Sequence, residues 1–420
     1  MHSKSLVNII CIFLLVLIFI SKISFSFLGL IPNQLSFIIY QNGMHPYVNF
    51  LIHVLVVPFC FWHSFKHPPG YKLKSEYKIL LVSLIFILIF QTTVQAFLIN
   101  TDQSILFQFL GLLMAIVLIG IYGIFIPLYL DGDKFISIIR NITTSLTLIS
   151  LILLVCGLHV FKGGRFVGIF KHIPHMVSVS VIAFIFYFPN FYKFNQKRIL
   201  KIVFILLLIF TIFLTATKTS IVAMSLAISL GIFIFPTTIR KKALFKVTLI
   251  LSLLSILFFL SEPISNYLYD VSTGKAELGY RRAQNGVETR MEEAQRGLDL
   301  FQKSPLFGLG LLYKFFKKGQ EEVDVDQYNS FKDPHNIFAS SAVIGGYPLF
   351  LFTIFALISM LISSTRGIKS KCNSTKLISL YLLCHIPILI IYHAHFSLGG
   401  IADRFYWLIF GYMGITRRIY

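Results

Sequence analysis

Charged side chains are scarce in this sequence. Lys, Arg, Asp and Glu make up 13% of its 420 residues, whereas 56% are hydrophobic and the mean hydropathy is +0.80. A typical soluble domain carries about 25% charged residues. The composition therefore excludes an ordinary soluble globular protein. It also excludes an intrinsically disordered chain, which needs low hydrophobicity and high charge.

Cysteines are equally few, and none of them forms a CxxC pair. Four of the five lie in apolar stretches, so neither a disulfide framework nor a cysteine metal site is predicted. No repeat of fixed period is visible either, which argues against the matched halves common in transporters. The cysteines are Cys11, Cys60, Cys156, Cys372 and Cys384.

Apolar runs of about 18 residues or more recur along the chain, and each such run predicts a transmembrane helix. They exclude nucleic-acid binding as the reason for the net charge of +20. We predict an all-α integral membrane protein with about twelve transmembrane helices, the first of them a retained span and not a cleaved signal peptide. The predicted spans are 6–28, 36–62, 79–99, 104–130, 136–160, 176–192, 199–215, 219–236, 243–261, 336–363, 377–393 and 402–416.

The acidic residues are concentrated in one hydrophilic segment. Twelve of the 17 lie between Glu262 and Asp333, where the net charge is −2, while the rest of the chain carries +22. This predicts three regions: spans one to nine in residues 1–261, a large loop in 262–334, and spans ten to twelve in 335–420. Basic residues cluster in alternate connections, so the positive-inside rule places both termini in the cytoplasm and the large loop outside.

The few cations on the outer side need a separate explanation. Arg165 follows two glycines and precedes span six, where it is either an interfacial anchor or an anion-binding residue at a helix start. Lys218 lies in Thr-Lys-Thr-Ser between spans seven and eight, a pattern typical of helix capping or of phosphate binding. Arg404 is the corresponding cation at the start of span twelve.

The large loop contains a predicted amphipathic helix over residues 287–303. A helical wheel places Arg290 about 60° from the centre of its apolar face and Arg296 about 180° away. Arg290 is therefore the favoured functional residue, and Arg296 is expected to face solvent. Arg281 and Arg282 precede this helix.

A turn-rich segment follows the loop helix, with the sequence P-L-F-G-L-G over residues 305–310. His335 and Asn336 then open span ten. A histidine at an outer helix start is either a capping or interfacial residue, or a general base that takes a proton from a hydroxyl near neutral pH.

The order of these motifs resembles the bacterial O-antigen ligase and O-antigen polymerase superfamily over about residues 165–365. The motifs are the outer R-x-x-G, the T-x-T-K, the loop helix with its Arg, P-L-F-G-x-G and H-N. The resemblance implies a GT-C-like membrane glycosyltransferase of the bacterial inner membrane, with a periplasmic active site. The sequence offers no clustered carboxylates and no His or Cys set for a metal, so transfer without a metal or cofactor is predicted. Its donor would be an undecaprenyl-diphosphate-linked glycan.

The resemblance also implies residue roles. Arg165 and Arg290 would contact the diphosphate and His335 would assist the acceptor hydroxyl. Lys218, Arg281, Arg282, Asn336 and Arg404 are the further candidate substrate-binding residues. No covalent nucleophile is evident, so a single displacement that inverts the anomeric centre is expected.

Four functions stay open at this point. A ligase would pass the glycan to lipid A-core, and a polymerase would pass it to a second lipid-linked glycan. Leu349 stands where ligases commonly have a second glycine, yet the R-x10-G spacing common in polymerases is absent, so ligase is slightly favoured. A protein O-oligosaccharyltransferase and a lipid-glycan flippase or transporter are the further alternatives, although a transporter should carry more charges within its spans.

Overall fold

The computed structural model of the chain shows a mostly helical membrane protein. It describes residues 2–23, 39–40, 43–44, 46–66, 69–99, 105–158, 160–162, 165–170, 172–187, 198–215, 217–235, 295, 297–310, 336–392 and 401–417.

Helices form most of the described residues. We number them α1 His2–Ile20, α2 Pro46–Lys66, α3 Ser75–Val94, α4 Ile105–Leu118, α5 Ile126–Tyr129, α6 Gly132–Val155, α7 Ile173–Tyr187, α8 Arg198–Leu214, α9 Lys218–Ile234, α10 Ile337–Ile368, α11 Asn373–Tyr392 and α12 Ile401–Met413. Two π-helical stretches extend them, Gln95–Ile99 after α3 and Ile119–Phe125 between α4 and α5.

Short strand pairs tie the ends of some helices together. Each pair is antiparallel: β1 Ile39–Tyr40 with β2 Gly43–Met44, β3 Tyr71–Leu73 with β6 Ile415–Arg417, and β4 Phe161–Lys162 with β5 Arg165–Phe166.

Every predicted span that falls on described residues overlaps a helix, whereas span nine, 243–261, lies outside them. Among the described residues, four helical stretches are long and apolar enough to cross a membrane: Ser75–Phe97, Phe109–Tyr129, Gly132–Val155 and Ile337–Ile368. Shorter apolar helices occupy other predicted spans, such as Ile173–Tyr187 and Val203–Leu214. The chain is a multi-pass membrane protein.

Helix α3 has one apolar face packed inside the protein and another apolar face exposed at the surface. Leu81, Leu84 and Leu88 follow one another at helical spacing and are buried. Val82 and Phe86 on the other side are about two-thirds exposed. A helix that is apolar on both faces suits a membrane, because its outer face contacts lipid instead of water.

The chain forms two compact units, each built from separate stretches. Unit 1 comprises Met1–Leu51, Leu130–Gln284 and Ser363–Pro387, and unit 2 comprises Ile52–Tyr129, Asn285–Ile362 and Ile388–Tyr420.

Unit 1 is centred on α7, which packs against α6, α8 and α9. Eleven consecutive residues of α7, 176–186, are buried. The ring of Phe186 lies between those of Phe135 and Tyr381, at centroid distances of 6.3 and 5.8 Å. Gly168, with φ +56°, has no room for a side chain beside Ser150. A positive φ and this close approach both favour glycine here.

In unit 2, α12 packs against the π-helix Ile119–Phe125. A side chain at Gly411 would collide with the backbone of Gly123, so the two helices meet backbone to backbone. The Tyr77 hydroxyl donates to the Gly123 carbonyl at 3.0 Å, and its ring covers Gly414. Lys74 donates through its backbone N–H to Gly414 and through Nζ to the Met413 carbonyl. These contacts join the start of α3 to the end of α12.

Candidate functional site

Arg165 lies on the β4–β5 hairpin of unit 1, where it pairs with Lys162. Its side chain is half-buried, and its neighbour Phe166 is fully buried against Phe161 with ring centroids 5.6 Å apart. The buried ring anchors the hairpin just before α7. Arg165 is thus held on a short strand pair, as an anion-binding residue would need to be.

The start of α7 carries two histidines close to that hairpin in sequence. The rings of His172 and His175 lie 5.8 Å apart in an edge-to-face arrangement, and His175 also contacts Phe170 at 6.3 Å. The sequence motif around Arg165 therefore continues into a cluster of aromatic and imidazole rings.

Lys218 is the first residue of α9, directly after the N-cap residue Thr217. The Thr217 hydroxyl donates to the Thr215 carbonyl at 3.0 Å and makes no cap bond. Ser220 likewise donates to the Thr217 carbonyl at 2.7 Å. The Thr217 hydroxyl therefore does not cap α9. Lys218 lies at the start of a helix, as predicted.

The P-L-F-G-L-G segment forms a turn that packs against α10 in unit 2. Helix α10 contains a break at Gly345, with φ −132° and ψ 17°, and Gly346, with φ 61° and ψ −160°. Leu309 N–H donates to the Val343 carbonyl at 2.7 Å, and Gly310 N–H donates to the Ile344 carbonyl at 3.0 Å. The turn therefore supplies backbone donors that the broken helix lacks.

The second half of α10 reaches back to the same turn. Tyr347 N–H donates to the Pro305 carbonyl at 2.8 Å. A side chain at Gly346 would collide with the backbone of Leu306, and Gly346 has a positive φ as well. The motif P-L-F-G-L-G and Gly346 are thus two parts of one packed structure.

Two glutamines from α3 and its π-helical extension complete this structure. Gln95 Nε2 donates to the carbonyls of Phe307 and Ile344, the latter at 3.2 Å, and Gln91 Nε2 donates to the Gly345 carbonyl. Both side chains are buried. We did not predict them from the sequence, although two glutamines four residues apart share one helix face. Polar side chains within an apolar span are a functional signal.

Asn336 caps α10. Its Oδ1 accepts from Phe338 N–H at 2.8 Å and from Ala339 N–H at 3.1 Å. The capping interpretation was given for His335, which lies outside the described residues; the residue that caps α10 in the structure is Asn336. Substrate binding by its amide NH2 stays a prediction.

Arg404 lies in the first turn of α12, and its side chain is 3% exposed. It forms a side-chain hydrogen bond with the hydroxyl of Tyr122, which in turn lies 2.8 Å from Nε2 of His53. All three side chains are buried in unit 2. The cation identified from the sequence is therefore part of an internal polar network, which sequence analysis did not find.

The loop helix differs in one respect from the prediction. Residues 297–303 are helical, and the helix ends before Pro305 as expected. Leu298, assigned to the packed face, is half-exposed, whereas Gly297 and Leu300 are buried. The packed face of residues 297–303 is thus rotated from its predicted centre. Arg290 and Arg296 lie outside the described residues, so the predicted contrast between them stays a prediction.

Four predicted site residues lie outside the described residues: His335, Arg290, Arg281 and Arg282. Within the part of the chain that the structure describes, no three His, Cys, Asp or Glu side chains lie close enough together to hold a metal ion.

Residues 202–354 match the family model described as O-antigen ligase. This stretch, 153 of the 420 residues, is similar to the O-antigen ligase family. Its resemblance to the O-antigen ligase and polymerase superfamily is confirmed. The matched stretch contains Lys218, the P-L-F-G-L-G turn, Asn336 and the break in α10. No curated protein matches the chain.

Proposed function

We propose that the protein is an O-antigen ligase. It transfers an undecaprenyl-diphosphate-linked glycan to a sugar hydroxyl of lipid A-core at the periplasmic face of the bacterial inner membrane. The observation that carries the proposal is the O-antigen ligase match over residues 202–354, which contains the turn packed into the broken helix. Further apolar helices precede and follow this segment along the chain.

The reaction is a single displacement. The acceptor hydroxyl oxygen forms a bond to the anomeric carbon, and the bond from that carbon to the diphosphate oxygen breaks. The electron pair leaves with undecaprenyl diphosphate, and the hydroxyl proton passes to the imidazole of His335. Attack from the face opposite the leaving group inverts the anomeric centre.

Cations supply the charge stabilisation that this reaction needs. The leaving diphosphate gains negative charge in the transition state, and guanidinium groups bind phosphate oxygens with two hydrogen bonds each. We assign this role to Arg165 and Arg290, with Lys218, Arg281, Arg282 and Arg404 as further binding residues. Lys218 offers a point charge, without the two-pronged geometry of arginine. A general base of the His335 type usually contributes about 10²–10⁴-fold in rate.

A second candidate is O-antigen polymerase, in which the acceptor is another lipid-linked glycan. The specific observation in its favour is Leu349, which stands where ligases commonly have glycine. Leu349 is fully buried, directly beside Gly345 at the break in α10. A leucine there fills space at the break in α10.

A deletion strain of the native host separates these functions. The ligase proposal predicts polymeric glycan on the undecaprenyl carrier and none on lipid A-core, restored by the plasmid-borne gene. Single repeats on lipid A-core would instead indicate a polymerase, and glycan retained in the cytoplasmic leaflet would indicate a flippase. Loss of glycoprotein staining alone would indicate a protein O-oligosaccharyltransferase. Any of these three outcomes rejects the ligase assignment.

A further inference from the structure

The break in α10 creates a short half-helix, Ile337–Ile344, that ends at Gly345. Asn336 caps its first turn, and the carbonyls of Val343 and Ile344 lie at its last. Irregular backbone at membrane depth is tolerated only where protein or water satisfies its polar groups. The half-helix therefore depends on whatever binds its last carbonyls.

Two kinds of donor bind these carbonyls. The backbone N–H groups of Leu309 and Gly310 donate from the turn, and the side chain of Gln95 donates to the Ile344 carbonyl. The side chain of Gln91 donates to the next carbonyl, that of Gly345 at the break itself. Gln95 binds the turn, at Phe307, and the half-helix, at Ile344. It is thus a bridge between two segments of the family motif.

The location of these glutamines indicates a specific role. Both side chains are buried, and the sequence around them is strongly apolar. Burying an amide in an apolar span is unfavourable unless it is hydrogen-bonded, and a leucine would pack there without this cost. Thr93, between them on the exposed side, donates only to the Ile89 carbonyl of its own helix at 2.8 Å. The structure thus distinguishes the two glutamines from a polar neighbour without a tertiary role.

We propose that Gln91 and Gln95 are positioning residues for glycan transfer. They hold the P-L-F-G-L-G turn and the half-helix in register, and so set the position of Asn336 at the start of that half-helix. The half-helix is about 12 Å long, so a tilt at its C-terminal end displaces its N-terminal end. This inference rests on the proposed function.

The first test measures the contact itself and needs no substrate. Leu309→Cys and Val343→Cys are introduced together into the full chain, with Cys156→Ser and Cys372→Ser to remove the two exposed native thiols. The hydrogen bond between the two backbones brings the Cα atoms of residues 309 and 343 within the range that a disulfide spans. The yield of oxidant-induced cross-linking in membranes, with both glutamines intact, is the reference value. We expect Gln95→Met and Gln91→Met to lower the cross-linking yield strongly. Thr93→Val should leave it unchanged.

The second test measures transfer with purified donor and acceptor. Gln95→Met keeps the length of the side chain but removes the amide donor. We expect kcat to fall about 100-fold, the size of effect known for a misplacement of about 1 Å at a reacting centre. The KM for the lipid-linked donor should stay close to its wild-type value. Because inactive protein would also lower the apparent kcat at unchanged KM, kcat is calculated per folded protein, measured as the monodisperse fraction in size-exclusion chromatography. Thr93→Val should retain wild-type kcat.

Each outcome decides the proposal. Unchanged cross-linking in both methionine variants, or lost cross-linking with wild-type kcat, overturns it. Should the methionine variants fail to accumulate, Gln95→Asn keeps the amide on a shorter side chain. If Gln95→Asn accumulates normally but shows reduced cross-linking and reduced kcat, the positioning role is supported. If its cross-linking yield and its kcat both equal those of the wild type, the positioning role is rejected. Absence of transfer by the wild-type protein would reject the proposed function instead, because cross-linking is read independently.

Discussion

Gly308 lies directly against the backbone carbonyl of Ile344, with no room for a side chain between them. Its φ is +69°, a conformation that L-residues rarely adopt. The contact places the second half of P-L-F-G-L-G against the end of the half-helix. It explains in physical terms why this motif contains glycine at that position.

We predict that Gly308→Ala strongly destabilises the protein and abolishes transfer. The new Cβ would collide with backbone atoms, which cannot rotate away, in addition to the backbone strain of about 1–2 kcal/mol. Thermal unfolding of the detergent-solubilised protein measures the effect. Gly157→Ala is the matched control, because Gly157 has φ +72° and a Cβ added there would meet nothing within 4 Å. An equal loss of Tm in both variants would contradict the close contact.

His335→Ala and Arg290→Ala should each abolish glycan transfer while the protein still inserts into the membrane. The first removes the proposed base, which is usually worth about 10²–10⁴-fold, and the second removes a diphosphate contact. Lipopolysaccharide banding in the complemented deletion strain reports transfer, and immunoblotting of membranes reports insertion. Lys303→Ala, at an exposed cation near the end of the same loop helix, is the control and should retain transfer. Wild-type banding by either test variant removes that residue from the site.

Tyr122→Phe should destabilise unit 2 by about 1–3 kcal/mol. The change removes the hydroxyl that links His53 and Arg404 and leaves both buried polar side chains with one partner fewer. The shift in thermal unfolding temperature measures the loss. Tyr347→Phe is the control in the same unit, because Tyr347 is half-exposed. Equal Tm values for Tyr122→Phe and the wild type would show that the network contributes nothing to stability.

Native cysteines allow the predicted topology to be tested without new mutations. Cys156, just beyond the end of α6, and Cys372, before α11, are exposed, whereas the other three cysteines are buried. The positive-inside rule places Cys156 outside and Cys372 in the cytoplasm. A membrane-impermeant maleimide should therefore label Cys156 in spheroplasts and Cys372 in inverted vesicles. The reverse pattern would invert the topology.

The labelling of Cys372 should also depend on pH in a defined way. Partial burial raises the pKa of its thiol, but hydrogen bonds with Ser374 and Thr375 outweigh burial and leave the pKa below its ordinary value. The thiolate is the reactive form, so labelling should extend to lower pH than for an ordinary exposed thiol. Ser374→Ala should move the labelling profile back toward higher pH.

The sequence was sufficient to predict the helices but not their interruptions. Hydropathy located α3, α4, α6 and α10 because the length and apolarity of a span are local properties. It did not reveal the break at Gly345 and Gly346, which requires the turn at residues 305–310 as its partner. The rotation of the loop helix was missed for a similar reason, since burial of Leu300 over Leu298 depends on the surface it packs against.

The candidate site likewise includes residues that the sequence predicted and residues that only the structure revealed. The order of the motifs pointed to Arg165, Lys218 and Asn336, because a short motif is recognised from residues that are adjacent in sequence. The structural roles of Gln95 and Arg404 depend on partners that are distant in sequence. Gln95, for example, binds a carbonyl 249 residues away, at Ile344. A glutamine in an apolar span was visible in the sequence, but its partner was not.

By itself, the sequence determined that this is a multi-pass helical membrane protein with an O-antigen ligase type of motif order. Composition, hydropathy and motif spacing are properties of the linear chain. In a membrane, where spanning segments must be long and apolar, these properties are sufficient to locate the helices. Only the tertiary structure decided which polar groups meet: the glutamines with the broken helix, and His53, Tyr122 and Arg404 with one another. Buried polar groups must find partners, and packing alone selects which partners come within reach.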